Sequence, residues 1–271
     1  DVTHGTDEAN TEYFNAGMNS SMLKGAQLSG GSRAVELGLI SLKGTKSLAN
    51  IMFVLGLLTA AGILFTSYLN TGSTTNAYHA AIIALIGVII GYFYTAKPIR
   101  LSSRYGLGEL SIFLAFGPLL TLGTGFAISA ETIIPYSNEF YNLLILGIPI
   151  GLLTTNILFI NQYPDYTSDK KVGKNHLVVV FGKKASRWIY VLNSAIAVGS
   201  LYFISENIVN DTQGLLFLYL LIPLSMFYSF YLISGLFKYY NSRDLIKYNI
   251  HTIYFHMLFS FVYMVILANF Q

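Results

Sequence analysis

The stretch Asn161-Gln-Tyr-Pro-Asp-Tyr-Thr-Ser-Asp-Lys-Lys-Val-Gly-Lys174 directly follows an apolar run that is long enough to cross a membrane. It contains two carboxylates four residues apart, Asp165 and Asp169, with three lysines immediately after them. On a helix this spacing places both acids on one face. Carboxylate oxygens suit a hard cation such as Mg²⁺, which bridges them to phosphate oxygens. The stretch therefore predicts a site for a metal and a phosphate-bearing substrate, and a solvated polar loop is the alternative.

The composition of the chain is that of a membrane protein. Of its 271 residues, 54% are hydrophobic and only 11% are charged, against about 25% charged residues in a typical soluble domain. Cysteine is absent, which excludes disulfides, thiolate metal sites and a cysteine nucleophile. The net charge of +3 comes without a basic tract mixed with aromatics, so nucleic-acid binding is not indicated. We expect an all-α, polytopic transmembrane helical bundle in a lipid bilayer.

Seven apolar runs fit the thickness of the hydrocarbon layer. They lie at about 48–69, 78–95, 110–130, 141–161, 187–205, 214–237 and 252–268. All sixteen Lys and Arg residues fall in or beside one set of connections, 1–47, 96–109, 162–186 and 238–251. By the positive-inside rule these connections are cytoplasmic. The sequence therefore predicts a multi-pass protein of the cell (inner) membrane with its acidic pair on the cytoplasmic side.

Glycines within the spans predict close contact between helices, because a residue without a side chain lets two backbones approach in lipid. The glycines expected to pack in this way are Gly56, Gly62, Gly87, Gly91, Gly117, Gly123, Gly147 and Gly151.

A second cytoplasmic connection carries a basic group and one acid. Lys97, Arg100 and Arg104 follow a span, where their positive charge either serves topology alone or binds phosphate. Glu109 opens the next span, and a carboxylate at a helix N-terminus is favourable in itself. The same acid is placed to orient the hydroxyl of an aromatic substrate. Further upstream, Gly30-Gly-Ser-Arg33 is a weaker indication of an anion-binding turn.

Taken in order, these motifs resemble those of the UbiA superfamily of intramembrane aromatic prenyltransferases. The resemblance rests on Asn161-x-x-x-Asp165-x-x-x-Asp169 with its trailing lysines, and on Tyr94-x-x-Lys97. Pro98-x-Arg-Leu, Gly106-Leu-Gly-Glu109 and Asp169-Lys-x-Val-Gly-Lys174 are most similar to the 1,4-dihydroxy-2-naphthoate polyprenyltransferase branch. Asp1-Val-Thr-His-Gly-Thr-Asp7 is similar to the second half of the family's first acidic motif.

The resemblance implies a single prenyltransferase domain over residues 1–271 and a fold of nine transmembrane helices. Seven spans are visible, so two helices and the start of the first acidic motif would precede Asp1, and the N-terminus is expected to be truncated. Two features depart from the family pattern. The segment between Asp7 and Gly30 is long, and Ser103-Arg-Tyr-Gly106 stands where an order closer to Tyr-Arg-Gly is expected.

The activity implied by the resemblance is Mg²⁺-dependent transfer of a polyprenyl group from polyprenyl diphosphate to an aromatic acid. In the naphthoate branch the ring loses CO₂, in menaquinone biosynthesis. The implied metal ligands are Asp1, Asp7, Asp165 and Asp169, of which Asp1, Asp165 and Asp169 are the catalytic residues. The implied diphosphate ligands are Lys97, Arg100, Lys170, Lys171, Lys174 and Arg33, and the residues for the aromatic substrate are Asn161, Glu109 and Tyr94.

Several alternatives stay open beside this interpretation. The acceptor could be 4-hydroxybenzoate or homogentisate, and a non-catalytic membrane protein could keep the same fold. A transporter is disfavoured because it would place ionisable residues in the middle of spans. CDP-alcohol phosphotransferases, which also pair Asp residues with Mg²⁺, need a tighter motif that this chain lacks.

Aromatic and histidine residues carry the remaining expectations. The aromatic residues that would line a prenyl-chain tunnel, or else face lipid and neighbouring helices, are Tyr92, Phe93, Tyr94, Phe113, Phe116, Phe227, Tyr228, Phe230 and Tyr231. His4 and His176 lie beside the acidic motifs and are expected to be solvated loop residues. No role is predicted for His251 and His256 on the last span.

Overall fold

The computed structural model describes residue 35 and residues 38–72 and 74–269. Within these ranges the chain is helical, with no β-structure beyond an isolated bridge between Arg104 and Asn175. The helices are α1 (Leu42–Thr71), α2 (Thr74–Thr95), α3 (Leu107–Phe116), α4 (Pro118–Ile128), α5 (Asn138–Leu146), α6 (Ile148–Lys171), α7 (Leu177–Asn207), α8 (Thr212–Tyr239) and α9 (Leu245–Asn269). The predicted all-α class is confirmed.

Seven helical segments are long and apolar enough to cross a membrane, as the sequence predicts. Two of these spans are broken, one between α3 and α4 and the other between α5 and α6. Each break combines a glycine with a proline in the first turn of the new helix: Gly117 precedes Pro118, and Gly147 precedes Ile148 and Pro149. Proline has no N–H to donate, and the first turn of a helix does not need one, so both new helices begin there.

The two broken spans cross with their backbones in contact. A Cβ at Gly147 would lie 2.5 Å from the carbonyl carbon of Gly117, and one at Gly151 would lie 2.6 Å from the Phe113 carbonyl oxygen. The predicted close packing is therefore confirmed for these glycines, and Gly123 similarly packs against Ile83. For four glycines of α1 and α2 it stays a prediction, because an added Cβ would meet none of the described residues within 4 Å; these are Gly56, Gly62, Gly87 and Gly91.

The buried residues form two clusters. The larger cluster is built by α6, α7, α8 and α9, and the smaller one joins α2 and α4 around Leu122 and Phe126. Helix α6 packs against α3, α7 and α9. In contrast, no part of the most apolar stretch of α1 is buried in the described chain. Helix α6, which carries both acids of the predicted site, is thus held between helices on several sides.

Helices α6 and α7 meet at the end of the bundle that we call the basic end, defined by the connections 96–106, 172–176 and 240–244. The predicted span stops where the apolar run stops, but α6 continues as a helix to Lys171. Helix α7 begins at Leu177 and is interrupted at Gly182, whose φ of 77° and ψ of 154° are not helical. The first residues of α7 therefore form a short turn set apart from the main helix.

Candidate active site

Two connections at the basic end are joined by backbone hydrogen bonds. The Asn175 N–H donates to the Ser103 carbonyl at 3.3 Å, and the Tyr105 N–H donates to the Asn175 carbonyl at 2.7 Å. Beside this bridge Gly106 has a φ of 92°, and a Cβ there would lie 2.8 Å from Cδ2 of Leu177. The positive φ favours glycine, and a Cβ there would force the Leu177 side chain to move. The two predicted motif segments are therefore neighbours in space.

Asp169 lies near the end of α6 and is almost fully buried, with 1% of its surface exposed. Its Oδ2 atom lies 3.1 Å from Nε2 of His176 and 3.4 Å from Nζ of Lys174. Its Oδ1 atom is buried and has no hydrogen-bond partner in the described chain. Burying a carboxylate oxygen without a partner costs free energy. The Oδ1 atom of Asp169 is therefore available to bind a cation, or to accept a hydrogen bond, from a group outside the described residues.

Asp165 lies one turn before Asp169 on α6 and is half-buried. It interacts electrostatically with Lys183, which follows the break at Gly182 in α7. The ammonium group of Lys183 also lies 5.5 Å from the centre of the Tyr166 ring, within the range of a cation–π contact. Lys183 was not predicted as a site residue, although the Lys-Lys pair after the glycine in Val180-Phe-Gly-Lys-Lys184 is a visible signal.

His176 corrects a prediction, because it is buried rather than solvated, with 1% of its surface exposed. It is the N-cap of α7, and its Nδ1 accepts the Val179 N–H at 3.4 Å. Its other ring nitrogen contacts Asp169. The signal in the sequence was positional: His176 is the last polar residue before the apolar run Leu177-Val-Val-Val180, where an N-cap is expected. His4 lies outside the described residues.

Glu109 is the second buried carboxylate, with 4% of its surface exposed. Its Oε1 atom accepts the Leu177 N–H at 3.0 Å and the Gln162 side-chain N–H at 2.9 Å. The Oε2 atom of Glu109 and the Oε1 atom of Gln162 are buried without a partner in the described chain. This arrangement offers two buried hydrogen-bond acceptors side by side, and the substrate-orienting role of Glu109 stays a prediction. Gln162 was not predicted, because a glutamine at the end of a span reads as an ordinary boundary residue.

The other predicted residues for the aromatic substrate are placed differently. Tyr94 is half-buried and interacts electrostatically with Glu109, so it belongs to the same part of the site. Asn161 uses its Oδ1 atom to accept the side-chain N–H of Asn249 at 3.0 Å, which ties α6 to α9. Asn249 itself is 1% exposed. Asn161 therefore has a structural contact that the motif alone did not indicate.

The predicted diphosphate ligands gather at the basic end with unequal exposure. Lys97, Lys170 and Lys171 are exposed, whereas Arg100 and Lys174 are half-buried. Lys174 contacts Asp169, as described above. The neighbouring Arg104 donates to the carbonyls of its own loop, from Nε to Ile99 at 2.8 Å and from Nη2 to Pro98 at 3.0 Å, and so stabilises that loop. Arg33, Asp1 and Asp7 lie outside the described residues.

Aromatic residues of α2 and α8 divide between the surface and a packed cluster. Tyr92, Phe227 and Phe230 are exposed in the described chain, which favours contact with lipid. Tyr228 is half-buried, and its hydroxyl lies 2.9 Å from Nδ1 of His251. On the same helix as His251, Nε2 of His256 lies 2.9 Å from the Thr154 hydroxyl. The two histidines for which no role was predicted thus connect α9 to its neighbours.

The described residues contain no group of three or more His, Asp and Glu side chains that could hold a metal ion by themselves. The unpartnered Oδ1 atom of Asp169 nevertheless has the chemistry of a Mg²⁺ ligand. A metal bound here therefore requires oxygen ligands beyond the described set, from the substrate or from other carboxylates.

The fold and the site together define a class of protein. It is a polytopic α-helical membrane protein with two buried carboxylates at its basic end. Residues 32–262 match the UbiA prenyltransferase family, so the chain belongs to this family. The curated relatives are matched over part of their length only, as given below. No solved structure gives a significant match.

Three relatives illustrate the similarity. The chain is 34% identical over 126 residues to the 2-carboxy-1,4-naphthoquinone phytyltransferase of Synechocystis sp., covering 46% of this chain and 37% of the relative. It is 38% identical over 82 residues to the 1,4-dihydroxy-2-naphthoate octaprenyltransferase of Escherichia coli, covering 30% and 24%. It is 28% identical over 123 residues to the protein of the same name from Bacillus subtilis, covering 45% and 37%. The alignments thus span less than two-fifths of each of these three relatives.

Proposed function

We propose that this protein transfers a polyprenyl group from polyprenyl diphosphate to an aromatic acid in a Mg²⁺-dependent reaction. We further propose that the acceptor is 1,4-dihydroxy-2-naphthoate, in menaquinone biosynthesis. The observation that carries the proposal is the Asp169 carboxylate, which is buried at the basic end with one oxygen left unpartnered. Family membership and the naphthoate-type names of the relatives support it.

A diphosphate brings roughly three negative charges to the edge of the membrane, where charge is costly unless it is paired. In our proposal Asp165 and Asp169, together with Asp1 and Asp7, hold Mg²⁺. The bound ion supplies positive charge that stabilises the departing diphosphate. The remaining charge is balanced by the basic residues Lys97, Arg100, Lys170, Lys171, Lys174 and Arg33.

The aromatic acid lies, in this proposal, beside Glu109 and Tyr94. The unpartnered Oε2 atom of Glu109 accepts a hydrogen bond from a ring hydroxyl and orients the ring. The allylic C–O bond breaks, the diphosphate leaves with the bonding electrons, and the ring carbon that bears the carboxylate forms the new C–C bond. That carboxylate leaves as CO₂ and its electron pair restores the aromatic ring. No covalent protein nucleophile is needed.

The proposed orientation in the membrane follows from the positions of the Lys and Arg residues. We place the protein in the cell (inner) membrane with its basic end on the cytoplasmic side, by the positive-inside rule. We also propose that residues 1–271 form one domain, because every described span packs against at least one other described span and these contacts form one connected set.

The test uses membranes containing the full-length protein, a radiolabelled polyprenyl diphosphate, Mg²⁺, and either 1,4-dihydroxy-2-naphthoate or 4-hydroxybenzoate. We expect a Mg²⁺-dependent lipid product, and release of CO₂, with the naphthoate alone. A product with the benzoate alone would change the acceptor but keep the class of reaction. Failure to form product with these two acceptors and with homogentisate would contradict the proposed activity and favour the non-catalytic alternative.

A further inference from the structure

Three successive residues at the start of α7 each bond a different part of the candidate site. The backbone of Asn175 joins the connection that contains Ser103. The side chain of His176 contacts Asp169, and the N–H of Leu177 donates to Glu109. The start of α7 is therefore the point at which the two buried carboxylates are held.

The tautomer of His176 follows from its hydrogen bonds. Its Nδ1 atom accepts the Val179 N–H and so cannot carry a proton itself. The ring hydrogen is therefore on Nε2, which donates to Asp169 Oδ2 at 3.1 Å. The imidazole side chain is fully buried, with 0% exposed. Because both ring nitrogens are engaged, the ring has one orientation and one direction of donation.

This contact decides which oxygen of Asp169 is free. Lys174 and His176 both approach Oδ2, and the described chain offers no partner to Oδ1. A carboxylate without such an anchor exchanges its two oxygens by rotation about its terminal torsion, which has a broad, two-fold profile. Anchoring one oxygen from a buried, fixed donor removes that freedom, as outer hydrogen bonds to metal-binding groups generally do.

We propose that His176 is a positioning residue that holds Asp169 with Oδ1 turned toward the Mg²⁺ and the diphosphate of the substrate. This inference rests on the proposed function, since it assigns Asp169 to that site. The plainer explanation is that His176 only caps α7. The two explanations differ in which nitrogen of the ring matters: Nε2 for positioning, Nδ1 for capping.

Two substitutions separate the roles of the two nitrogens. Asparagine in H176N is a preferred N-cap residue, but its side chain is too short to reach Asp169. Glutamine in H176Q extends an N–H donor to about the distance of Nε2 and is not among the preferred N-cap residues. His79 provides the control, because it lies near the start of α2, at the opposite end of that helix from the candidate site, and bonds the Thr75 carbonyl of its own helix.

The experiment measures binding of inorganic pyrophosphate to the purified full-length protein in detergent, by calorimetry across a range of Mg²⁺ concentrations, and records melting temperatures in parallel. We expect H176N to raise the Mg²⁺ concentration for half-maximal binding about 10- to 100-fold, with little change in melting temperature. H176Q is expected to stay within about 3-fold of the wild type in Mg²⁺ dependence and to melt at a lower temperature. H79N should leave the Mg²⁺ dependence unchanged.

The opposite pattern, normal Mg²⁺ dependence in H176N with impairment only in the less stable H176Q, would overturn the positioning role and leave His176 as a cap. Equal Mg²⁺ dependence in both variants and the wild type would overturn it as well. If the wild type itself binds no pyrophosphate in the presence of Mg²⁺, the proposed diphosphate site is wrong, and the inference fails with it. The wild-type measurement thus separates failure of the proposed function from failure of the inference alone.

Discussion

At the scale of single residues, the two acids of α6 differ in their surroundings. Asp169 is buried with one oxygen anchored, whereas Asp165 is half-buried and interacts with Lys183. Both carboxylates lie at the basic end, outside the apolar middle of the membrane spans. Their loss should therefore affect chemistry more than assembly.

We predict that Asp165→Ala and Asp169→Ala each abolish prenyl transfer in the full-length protein while leaving membrane insertion intact. Turnover is measured in isolated membranes, and insertion by the amount of protein that resists alkaline extraction. Asp211→Ala is the matched control, because Asp211 caps α8 by accepting the Gly214 N–H at 2.8 Å. It should cost about 1 kcal/mol of stability and leave turnover unchanged. Near-normal turnover in either site variant would contradict the metal-site assignment.

Glu109 leads to a prediction about the other substrate. Glu109→Gln keeps the size of the side chain and removes the negative charge that strengthens a hydrogen bond from a ring hydroxyl. We expect KM for the aromatic acid to rise about 10-fold or more, with the Mg²⁺ dependence unchanged. Steady-state kinetics with each substrate varied in turn provide the measurement. A changed Mg²⁺ dependence with an unchanged KM would place Glu109 in the diphosphate half of the site instead.

At the scale of helices, the crossing of the two broken spans is the feature most sensitive to side-chain volume. A Cβ at Gly147 would lie 2.5 Å from both the Gly117 carbonyl carbon and the Thr121 hydroxyl, so the helices must separate to admit it. We predict that Gly147→Ala lowers the stability of the protein by about 1–3 kcal/mol.

The control for this prediction is Gly87→Ala in α2, where an added Cβ meets none of the described residues within 4 Å. Alanine favours helix more than glycine does, so this variant should be neutral or slightly stabilised. Thermal unfolding of the two variants in the same detergent compares them directly. Equal melting temperatures would show that the crossing relaxes without cost.

The helices themselves could be predicted, because hydropathy indicates which parts of a chain lie in hydrocarbon. Hydropathy does not indicate how far a helix continues beyond the apolar run into the polar region. For this reason the predicted span at 141–161 stopped short of Lys171, although the backbone hydrogen bonds of α6 continue. The breaks before Pro118 and Pro149 were also missed, since the apolar pattern runs through them unchanged.

The candidate site could be predicted where the sequence concentrates charge and not where burial decides the role. Asp165, Asp169 and Glu109 were identified because acids stand out at the edges of apolar spans. His176 and Gln162 were not, because their contacts with Asp169 and Glu109 arise only where α3, α6 and α7 meet. The local pattern indicates at most that His176 is an N-cap. A polar residue in a short connection looks solvated until the neighbouring helices are in place.

At the scale of the whole molecule, charge is distributed unevenly between the two ends of the bundle. Residues 1–271 contain no cysteine, so an introduced cysteine is the only thiol in this part of the chain. We predict that Asn241→Cys, exposed between α8 and α9, reacts with a membrane-impermeant maleimide only in inverted vesicles. Thr132→Cys, exposed in the connection between α4 and α5, should react only from the outside of intact cells. The reverse pattern would overturn the proposed orientation.

The contact between Gly117 and Gly147 has a consequence for how this molecule tolerates change. Glu109 lies in the first turn of the first crossing span and Asp169 in the last turn of the second, so the crossing joins the two helices that carry the buried acids. At the crossing the approach of these helices is set by the radii of main-chain atoms, which no substitution elsewhere alters. The distance between the two helices at the crossing is therefore fixed by main-chain contact. Substitutions on the lipid-facing surface leave this backbone contact unchanged, so that surface is free to vary in sequence while the two spans stay in contact.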